Sequence, residues 1–234
     1  MKQRLKDNSV LEERLEYTFR RPELLENALT HSSYASEKDK SYRYNNERLE
    51  FIGDAFLDAI IGLRLYELRP DDREGVLSKT RANIVCERSL AGISRELGIG
   101  QFLLLGNGED ASGGRDKDSI LADALEAVIG AILLDSSYEE ASRVVLSLFY
   151  QTIRLAIQGR LFHDYKTELQ ERLQEQYRLI RIEYTLVEET GPDHDKVFTV
   201  EVSARGRTMG RGSGKSKKEA EQAAARDVLL KGEL

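Results

Sequence analysis

Acidic residues interrupt two apolar runs of this 234-residue chain at spacings that place them together on a helix face. The first run contains Glu47, Glu50 and Asp54, spaced i, i+3, i+7. The second run contains Asp123 and Glu126, spaced i, i+3. Because an α-helix repeats about every 3.6 residues, each set shares one face. Carboxylates among Leu, Phe, Ile and Ala are costly to bury unless a cation neutralises them. Two such helices packed together would form an oxygen-rich pocket suited to Mg²⁺ and to metal-assisted phosphodiester cleavage.

The composition is that of an ordinary globular protein, with 40% hydrophobic and 32% charged residues. The length allows one large or two modest domains. No apolar run reaches the roughly 18 residues of a membrane helix, and residues 1–7 lack the apolar core of a signal peptide. Cys86 is the single cysteine, which excludes a disulfide within the chain and a thiolate zinc site. These features predict a cytoplasmic protein without membrane association.

The charge is unevenly distributed, although the net charge of −6 is unusual for a protein that binds nucleic acid. Residues 205–218 contain no acid. Their basic residues are Arg205, Arg207, Arg211, Lys215, Lys217 and Lys218. This basic strip, in an otherwise acidic chain, indicates a phosphate-binding surface beside a separate metal pocket.

Helical periodicity extends from about Ser9 to Gln158, and we expect residues 1–158 to form an all-α domain. Two short helices come first. The longer predicted helices cover residues 46–68, ended by Pro70, then 74–97, 117–134 and 138–157. Polar residues 36–46 and the glycine-rich segment 106–114 are predicted to be loops.

The pattern changes after residues 159–163, a predicted linker, and residues 164–234 form a second predicted domain. A helix carrying Leu169, Leu173 and Tyr177 precedes two strands at 182–187 and 197–202. A third, polar strand near 207–211 is expected at a sheet edge. Ser216 and Glu219 then form a predicted capping box for a last helix. The result is a small α+β unit of the order α-β-β-β-α.

Several motifs, in order, resemble bacterial ribonuclease III, an endonuclease for double-stranded RNA. They are Asn46-Glu-Arg-Leu-Glu-Phe-Ile-Gly-Asp54, Arg73-Glu-Gly-Val-Leu-Ser78 and Ser119-Ile-Leu-Ala-Asp-Ala-Leu-Glu-Ala-Val-Ile-Gly-Ala131. Leu169-Gln-Glu171 and Gly214-Lys-Ser-Lys-Lys-Glu-Ala-Glu221 resemble a double-stranded-RNA-binding domain. The resemblance covers nearly the whole chain. Ile52 and Ala55-Phe56 depart from the common pattern at packing positions, and every acidic position is filled.

The resemblance implies a homodimeric enzyme that uses Mg²⁺, with Mn²⁺ able to substitute, and needs no small-molecule cofactor. It implies cleavage of both RNA strands, with 5′-phosphate and 3′-hydroxyl ends, short 3′ overhangs, and precursors of ribosomal RNA and other structured transcripts as substrates. The implied metal ligands are Glu50, Asp54, Asp123 and Glu126. Asp54 and Glu126 are also implied catalytic residues, with Glu47 and Glu74 as outer acids of the same site. Phe51 is implied as a dimer anchor, with burial in its own core as an alternative.

Plainer roles remain open for several residues. Glu47 could pair with Arg48 or Arg64, Asp58 is expected to be structural, and Gly53 is expected to permit close helix packing. A solvated helix face or salt bridges are the general alternative for the acids. Two rival functions follow: a non-cleaving RNA-binding or chaperone protein, and a helical oligomerisation domain with its acids in salt bridges.

Three surfaces of the second domain are expected to contact duplex RNA through its backbone and 2′-hydroxyls. One is the polar face of the first helix, one is the loop 191–195, and one is the start of the last helix. The expected contact residues are Thr167, Gln170, Glu171 and Gln174, then His194, then Lys215, Lys217 and Lys218. For the lysines and His194 a solvated surface is the alternative. The segment 106–114 could touch RNA or only connect helices.

Overall fold

The computed structural model describes residues 8–38, 44–161, 165–177, 180–191 and 196–231. The chain divides into two compact units, Met1–Phe162 and His163–Leu234. The predicted order of an all-α unit followed by an α-β-β-β-α unit is confirmed. Among the described residues, no helix combines the length and the apolar character that crossing a bilayer demands.

The first unit is helical throughout its described residues. Its α-helices are α1 (Ser9–Leu15), α2 (Pro22–Ala28), α3 (Ser32–Glu37), α4 (Glu47–Leu68), α5 (Glu74–Ile84), α6 (Glu87–Leu97), α7 (Asn107–Ala111), α8 (Asp118–Asp135), α9 (Tyr138–Leu148) and α10 (Tyr150–Ile157). Helix α8 is central, because it packs against α2, α4, α6 and α9. It is apolar on almost every side, as a fully surrounded helix must be.

Two glycines let α4 and α8 approach each other closely. A Cβ on Gly53 of α4 would collide with the carbonyl oxygen of Glu126 on α8. A Cβ on Gly130 of α8 would collide with the carbonyl oxygen of Leu49 on α4. The expectation that Gly53 permits close packing is therefore confirmed, and the contact is reciprocal. The backbones touch where both helices carry their acids.

The single helix predicted over residues 74–97 is wrong, because the chain turns between α5 and α6. Ile84 ends α5, and Cys86 takes an extended backbone conformation before α6 begins at Glu87. The residues at the break are Asn83, Ile84, Val85 and Cys86, all of modest helix propensity. Packing decides the break, since α5 lies against α4 and α10 whereas α6 lies against α8.

The helix predicted over residues 138–157 is also interrupted. Phe149 is both the last cap of α9 and the first cap of α10. Its side chain is completely buried. The chain bends at this residue because the ring enters the core while each flanking helix keeps its own apolar face inward.

The loops predicted over 106–114 and 36–46 each contain helical residues. Helix α7 forms because Glu37 accepts hydrogen bonds from the backbone N (2.6 Å) and side-chain Nδ2 (2.8 Å) of Asn107. An anion at a helix N-terminus offsets the low propensity of the glycines nearby. The second loop begins later than predicted, because α3 continues to Glu37; residues 39–43 lie outside the described residues.

The second unit packs two helices on one face of an antiparallel sheet. Its elements are α11 (Tyr165–Tyr177), β1 (Ile182–Thr190), β2 (Val197–Ala204), β3 (Arg207–Gly214) and α12 (Lys217–Lys231). The strand order is β1-β2-β3, so β3 lies at an edge as predicted. Leu169, Leu173, Val202 and Val228 belong to its core. Gly212 on β3 lies directly beneath α12, where a Cβ would strike the backbone of that helix.

The predicted capping of the last helix is confirmed, with one difference. The Oγ of Ser216 accepts a hydrogen bond from the backbone N of Glu219 at 3.2 Å. The Glu219 carboxylate, however, accepts from the backbone N of Lys215 at 3.0 Å, one residue further back than in an ideal capping box. The loop before α12 is thereby fixed at Lys215.

We predict that Gly53→Ala lowers the free energy of unfolding of the first unit by about 3 kcal/mol, because the methyl group forces α4 away from α8. Urea unfolding followed by circular dichroism measures this. Gly92→Ala is the matched control, since a Cβ there meets nothing within 4 Å. That substitution should leave stability unchanged or raise it by up to about 1 kcal/mol. Equal effects of the two substitutions would contradict the close contact.

Candidate active site

Three carboxylates come together where α4 and α8 touch. Glu50, Asp123 and Glu126 each offer an oxygen atom, and these atoms all lie within 4.8 Å of one another. Glu50 projects from α4, and Asp123 and Glu126 project from adjacent turns of α8. Each residue is partly buried. Oxygen ligands at such spacing could hold one divalent cation. We call these three residues the acidic cluster.

Burial and mutual repulsion oppose ionisation of the acidic cluster. The pKa of Glu126 is raised to about 8, first by burial and then by the charges of Asp54, Glu50, Asp123 and Asp58. The pKa of Glu50 is also raised, by burial and then by Asp123, Glu47 and Asp54. Among the residues that the structure describes, no Lys or Arg forms an ion pair with the cluster. Full ionisation of the three acids is therefore unfavourable unless a cation binds beside them.

Asp135, at the end of the same helix, shows how the chain stabilises a buried acid with its own hydrogen-bond donors and with the Arg21 guanidinium, whose Nε lies 3.2 Å from the Asp135 carboxylate. Its carboxylate accepts hydrogen bonds from Tyr17 Oη (2.7 Å) and from the backbone N atoms of Arg20 (2.7 Å) and Arg21 (3.0 Å). Burial alone would raise the pKa of Asp135, but these hydrogen bonds outweigh burial and lower it. The acidic cluster has no comparable donors within the described ranges. A buried carboxylate with a purely structural role is expected to have protein donors of the kind that Asp135 has.

Asp54, the fourth predicted ligand, lies outside the group of three. It is exposed, one turn beyond Glu50 on α4. Its charge nevertheless raises the pKa of Glu126 more than the charge of any other acid does. Asp54 is thus an electrostatic neighbour of the cluster at its solvent side. Asp58, expected to be structural, forms an ion pair with Arg81 at 3.7 Å.

The two predicted outer acids differ in their relation to the cluster. Glu47 is exposed, and its charge contributes to the raised pKa of Glu50. Arg64, one of its possible partners, pairs instead with Glu67 at 3.2 Å. Glu74 is exposed and accepts a hydrogen bond from Ser78 Oγ at 2.7 Å. Within one chain the structure does not bring Glu74 to the cluster.

Two residues near Asp123 were missed by the sequence reasoning. Burial is the main reason that the pKa of Asp123 is raised, and the charge of Glu87 raises it further while His31 lowers it. Glu87 is the first residue of α6. A prediction of the helix break at Cys86 would have placed Glu87 at a helix N-terminus. His31 caps α3, with its Nδ1 2.8 Å from Ser33 Oγ. No local sequence pattern links His31 to α8.

The second unit presents its predicted RNA-contact residues to solvent where the structure describes them. The polar face of α11 is exposed opposite the buried Leu169 and Leu173. The exposed residues are Thr167, Gln170, Glu171 and Gln174 on α11, and Lys215, Lys217 and Lys218 at the start of α12. His194 lies outside the described residues.

Two arginines of the basic strip have partners within the second unit. The Arg205 guanidinium lies 4.2 Å from the ring centre of Tyr177. Arg211 forms an ion pair with Glu188 at 3.0 Å. Lys217 and Lys218, at the start of α12, are exposed.

Comparison with known proteins gives consistent results over both units. A family model described as "Ribonuclease-III-like" matches residues 21–153, and one described as "Double-stranded RNA binding motif" matches residues 165–231. A "Ribonuclease 3" of Caldanaerobacter subterraneus subsp. tengcongensis is 50% identical over 221 residues, 94% of this chain and 96% of that one. The "Ribonuclease 3" of Borreliella burgdorferi is 49% identical over 219 residues, 94% of this chain and 88% of that one.

Solved structures give the same result for the helical unit. The crystal structure of the nuclease domain of ribonuclease III from Campylobacter jejuni is 45% identical. It superposes with a TM-score of 0.58, covering 63% of this chain and 96% of that one. A further structure of the same domain, described by flexibility in a region involved in dimer formation, is also 45% identical, with a TM-score of 0.58 over 62% of this chain and 97% of that one.

We predict that the metal-free protein loses stability as the pH rises from about 5 to 8. The unfolded state releases the Glu126 proton near the ordinary value of 4.5, whereas the folded state holds it until about 8. The folded state therefore binds more protons in this window, and stability falls with rising pH and levels off above it. Urea unfolding in EDTA measures the effect. Glu126→Gln should flatten the profile, and an equally steep profile in that variant would contradict the assignment.

Proposed function

This chain belongs to the ribonuclease III family, and we propose that it hydrolyses phosphodiesters on both strands of double-stranded RNA with the help of Mg²⁺. The observation that carries the proposal is the convergence of Glu50, Asp123 and Glu126 within 4.8 Å, with no Lys or Arg of the described residues in an ion pair with them. A hard divalent ion is the partner that such a set of oxygens fits best. Mn²⁺, which also accepts carboxylate ligands, should substitute.

Each acid has a distinct task in this proposal. Glu50, Asp123 and Glu126 hold the ion, and Asp54 adds charge at the open side of the cluster, where the RNA backbone would arrive. A bound divalent ion supplies charge neutralisation at the phosphoryl group and favours ionisation of water. Asp54 and Glu126 are the proposed catalytic residues, Glu47 strengthens the negative field at Glu50, and the exposed Glu74 is available to a second copy of the chain.

The proposed nucleophile is water, because the group that could hold a metal ion consists of carboxylates alone and includes no cysteine or histidine of the described residues. Hydrolysis at the 3′ oxygen would leave 5′-phosphate and 3′-hydroxyl ends, as in the family. Two active sites related by a two-fold axis would give short 3′ overhangs. The proposed substrates are ribosomal RNA precursors and other structured transcripts, and the proposed location is the cytoplasm.

We propose a division of labour between residues 1–158, which catalyse, and residues 164–234, which bind the duplex, with 159–163 as the linker. In the second unit, Thr167, Gln170 and Glu171 would reach 2′-hydroxyls, as would His194. The lysines at the start of α12 would bind phosphates, with the helix dipole adding to their charge: Lys215, Lys217 and Lys218. None of these contacts reads a base, so recognition should be of duplex shape.

The exposed face of α4 supports a homodimer. The side chain of Phe51 is 76% exposed, so its alternative role in the core of its own subunit is wrong. Leu63 and Tyr66 on the same helix and Val76 on α5 are also exposed. Exposed large apolar side chains on neighbouring helices are typical of a protein interface. A ribonuclease III nuclease domain is itself described by a region involved in dimer formation. We propose Phe51 as an anchor of this interface.

The first experiment tests cleavage. An end-labelled RNA hairpin is incubated with wild type and with Glu126→Gln, each in Mg²⁺ and in EDTA. Wild type should cut only in Mg²⁺, and the variant should be slower by at least about a hundredfold, since a charge-stabilising group contributes about 3 kcal/mol or more. Glu96→Gln, an exposed acid of α6, is the control and should cut normally. If wild type in Mg²⁺ binds the hairpin without cutting it, the proposal is wrong.

The dimer is tested by charge at the proposed anchor. Phe51→Asp should convert a dimer to a monomer in sedimentation velocity, because it places a carboxylate in an apolar contact. Leu230→Asp is matched in exposure, at 74% against 76%, but lies in the second unit and should not change the oligomeric state. A wild-type protein that sediments as a monomer, or a Phe51→Asp variant that stays dimeric, would contradict the proposed interface.

RNA binding is tested in the Glu126→Gln background, so that the duplex stays intact. Lys217→Gln with Lys218→Gln should weaken binding, and the slope of log affinity against log salt should become shallower by about 0.9 for each phosphate that the protein no longer neutralises. Arg20→Gln together with Lys38→Gln, two exposed residues near the start of the first unit, removes the same charge and is the control. If the two double variants have the same salt slope, the lysines of α12 are ordinary surface residues.

A further inference from the structure

A cavity of about 300 Å³ opens between the end of α4 and helices α9 and α10. Its walls are mainly aliphatic, with an aromatic ring and two guanidinium groups. The lining residues are Arg64, Leu68, Leu146, Tyr150, Ile153, Arg154, Ile157 and Gln158. None of the residues of the acidic cluster lines it. The volume falls at the lower end of the range of small-molecule sites, about 300–1,000 Å³.

The apolar part of the cavity is built into the core. Ile153 is 6% exposed, and Leu146 and Ile157 pack against the core of the first unit. Tyr150 and Leu68, by contrast, remain largely exposed to solvent. A fixed inner wall with an apolar outer edge can enclose a hydrocarbon group of a small ligand, which would cover the apolar surface now open to water.

The charged part of the cavity is cationic. Arg64 has an ion pair with Glu67 on the same helix, but both side chains are about half exposed, so this pair is weak. Arg154 forms no ion pair with any residue that the structure describes, and no acid lines the cavity. A guanidinium beside an apolar wall presents a planar fork that matches a carboxylate.

We propose that this cavity binds a small amphipathic carboxylate, with its hydrocarbon body against Ile153, Leu146 and Leu68 and its carboxylate on Arg154 and Arg64. Such a ligand satisfies both features of the site at once. A neutral hydrocarbon leaves the guanidiniums unused, and a simple inorganic anion leaves the apolar wall exposed.

The ligand would connect two helices that already meet at this end of the unit. Arg69, the residue after α4, donates a hydrogen bond to the carbonyl oxygen of Ile157 at 3.4 Å and is held by Asp72. An occupant of the cavity adds contacts between the last turn of α4 and α10 at the same place. A ligand that binds the folded protein but not the unfolded chain raises the midpoint temperature of thermal unfolding by mass action.

Sodium octanoate is a suitable probe, used below the concentration at which it forms micelles. It is titrated into the full chain, whose Ile and Leu methyl groups are isotope-labelled for NMR. The expected result is saturable shifts of the Ile153, Ile157, Leu68 and Leu146 methyls together with a raised thermal midpoint. Octyltrimethylammonium and octanol should bind at least about tenfold more weakly, because they lack the carboxylate that accepts the charge-assisted hydrogen bonds. Equal binding of the three probes would overturn the proposal.

Two variants locate the site. Arg154→Glu, at an exposed position of α10, should weaken octanoate binding by about tenfold or more, whereas Arg20→Glu, an exposed arginine that does not line the cavity, should leave it unchanged. Leu146→Trp should abolish binding by filling the cavity, with its folding checked by circular dichroism. Octanoate binding that is unchanged in Arg154→Glu, or shifts that do not saturate, would refute the site.

Discussion

The close contact between α4 and α8 is the constraint on which the catalytic unit depends. Gly53 and Gly130 remove the Cβ atoms that would separate the two backbones, and each glycine faces a carbonyl of the other helix. At this contact a carboxylate oxygen of Glu50 lies within 4.8 Å of those of Asp123 and Glu126. The packing of the helices therefore brings three carboxyl groups together, and no Lys or Arg among the described residues forms an ion pair with them. A divalent ion is the component that completes this arrangement.

The acidic cluster and Asp135 show two different fates of a buried carboxylate. Both involve α8, and burial opposes ionisation in both. Hydrogen bonds from Tyr17, Arg20 and Arg21 stabilise the Asp135 carboxylate, so its pKa falls despite burial. Glu126 is surrounded by other acids instead, and its pKa rises to about 8. Asp135 is thus a structural acid. Glu126, with its raised pKa and its acidic neighbours, has the properties of a functional residue.

The parts of the fold that follow from local pattern were predictable from the sequence. The two acid-bearing helices, the strand order with β3 at an edge, and the Ser216 cap all have signals within a few residues. The helix breaks before Glu87 and at Phe149 do not, because the burial of distant partners decides them. The same holds within the site: the exposure of Asp54, in contrast to the partial burial of the other three acids, depends on how α4 packs on α8. The proximity of His31 to Asp123 depends on how α3 docks.

Anomalous diffraction from crystals soaked in Mn²⁺ would test the metal site most directly, because it locates the ion without reference to activity. We predict an anomalous peak bounded by the carboxylates of Glu50, Asp123 and Glu126, and its disappearance in crystals of Glu126→Gln. A wild-type crystal with no peak among these carboxylates at saturating Mn²⁺, or with its peak elsewhere in the unit, would contradict a metal site at the contact of α4 and α8.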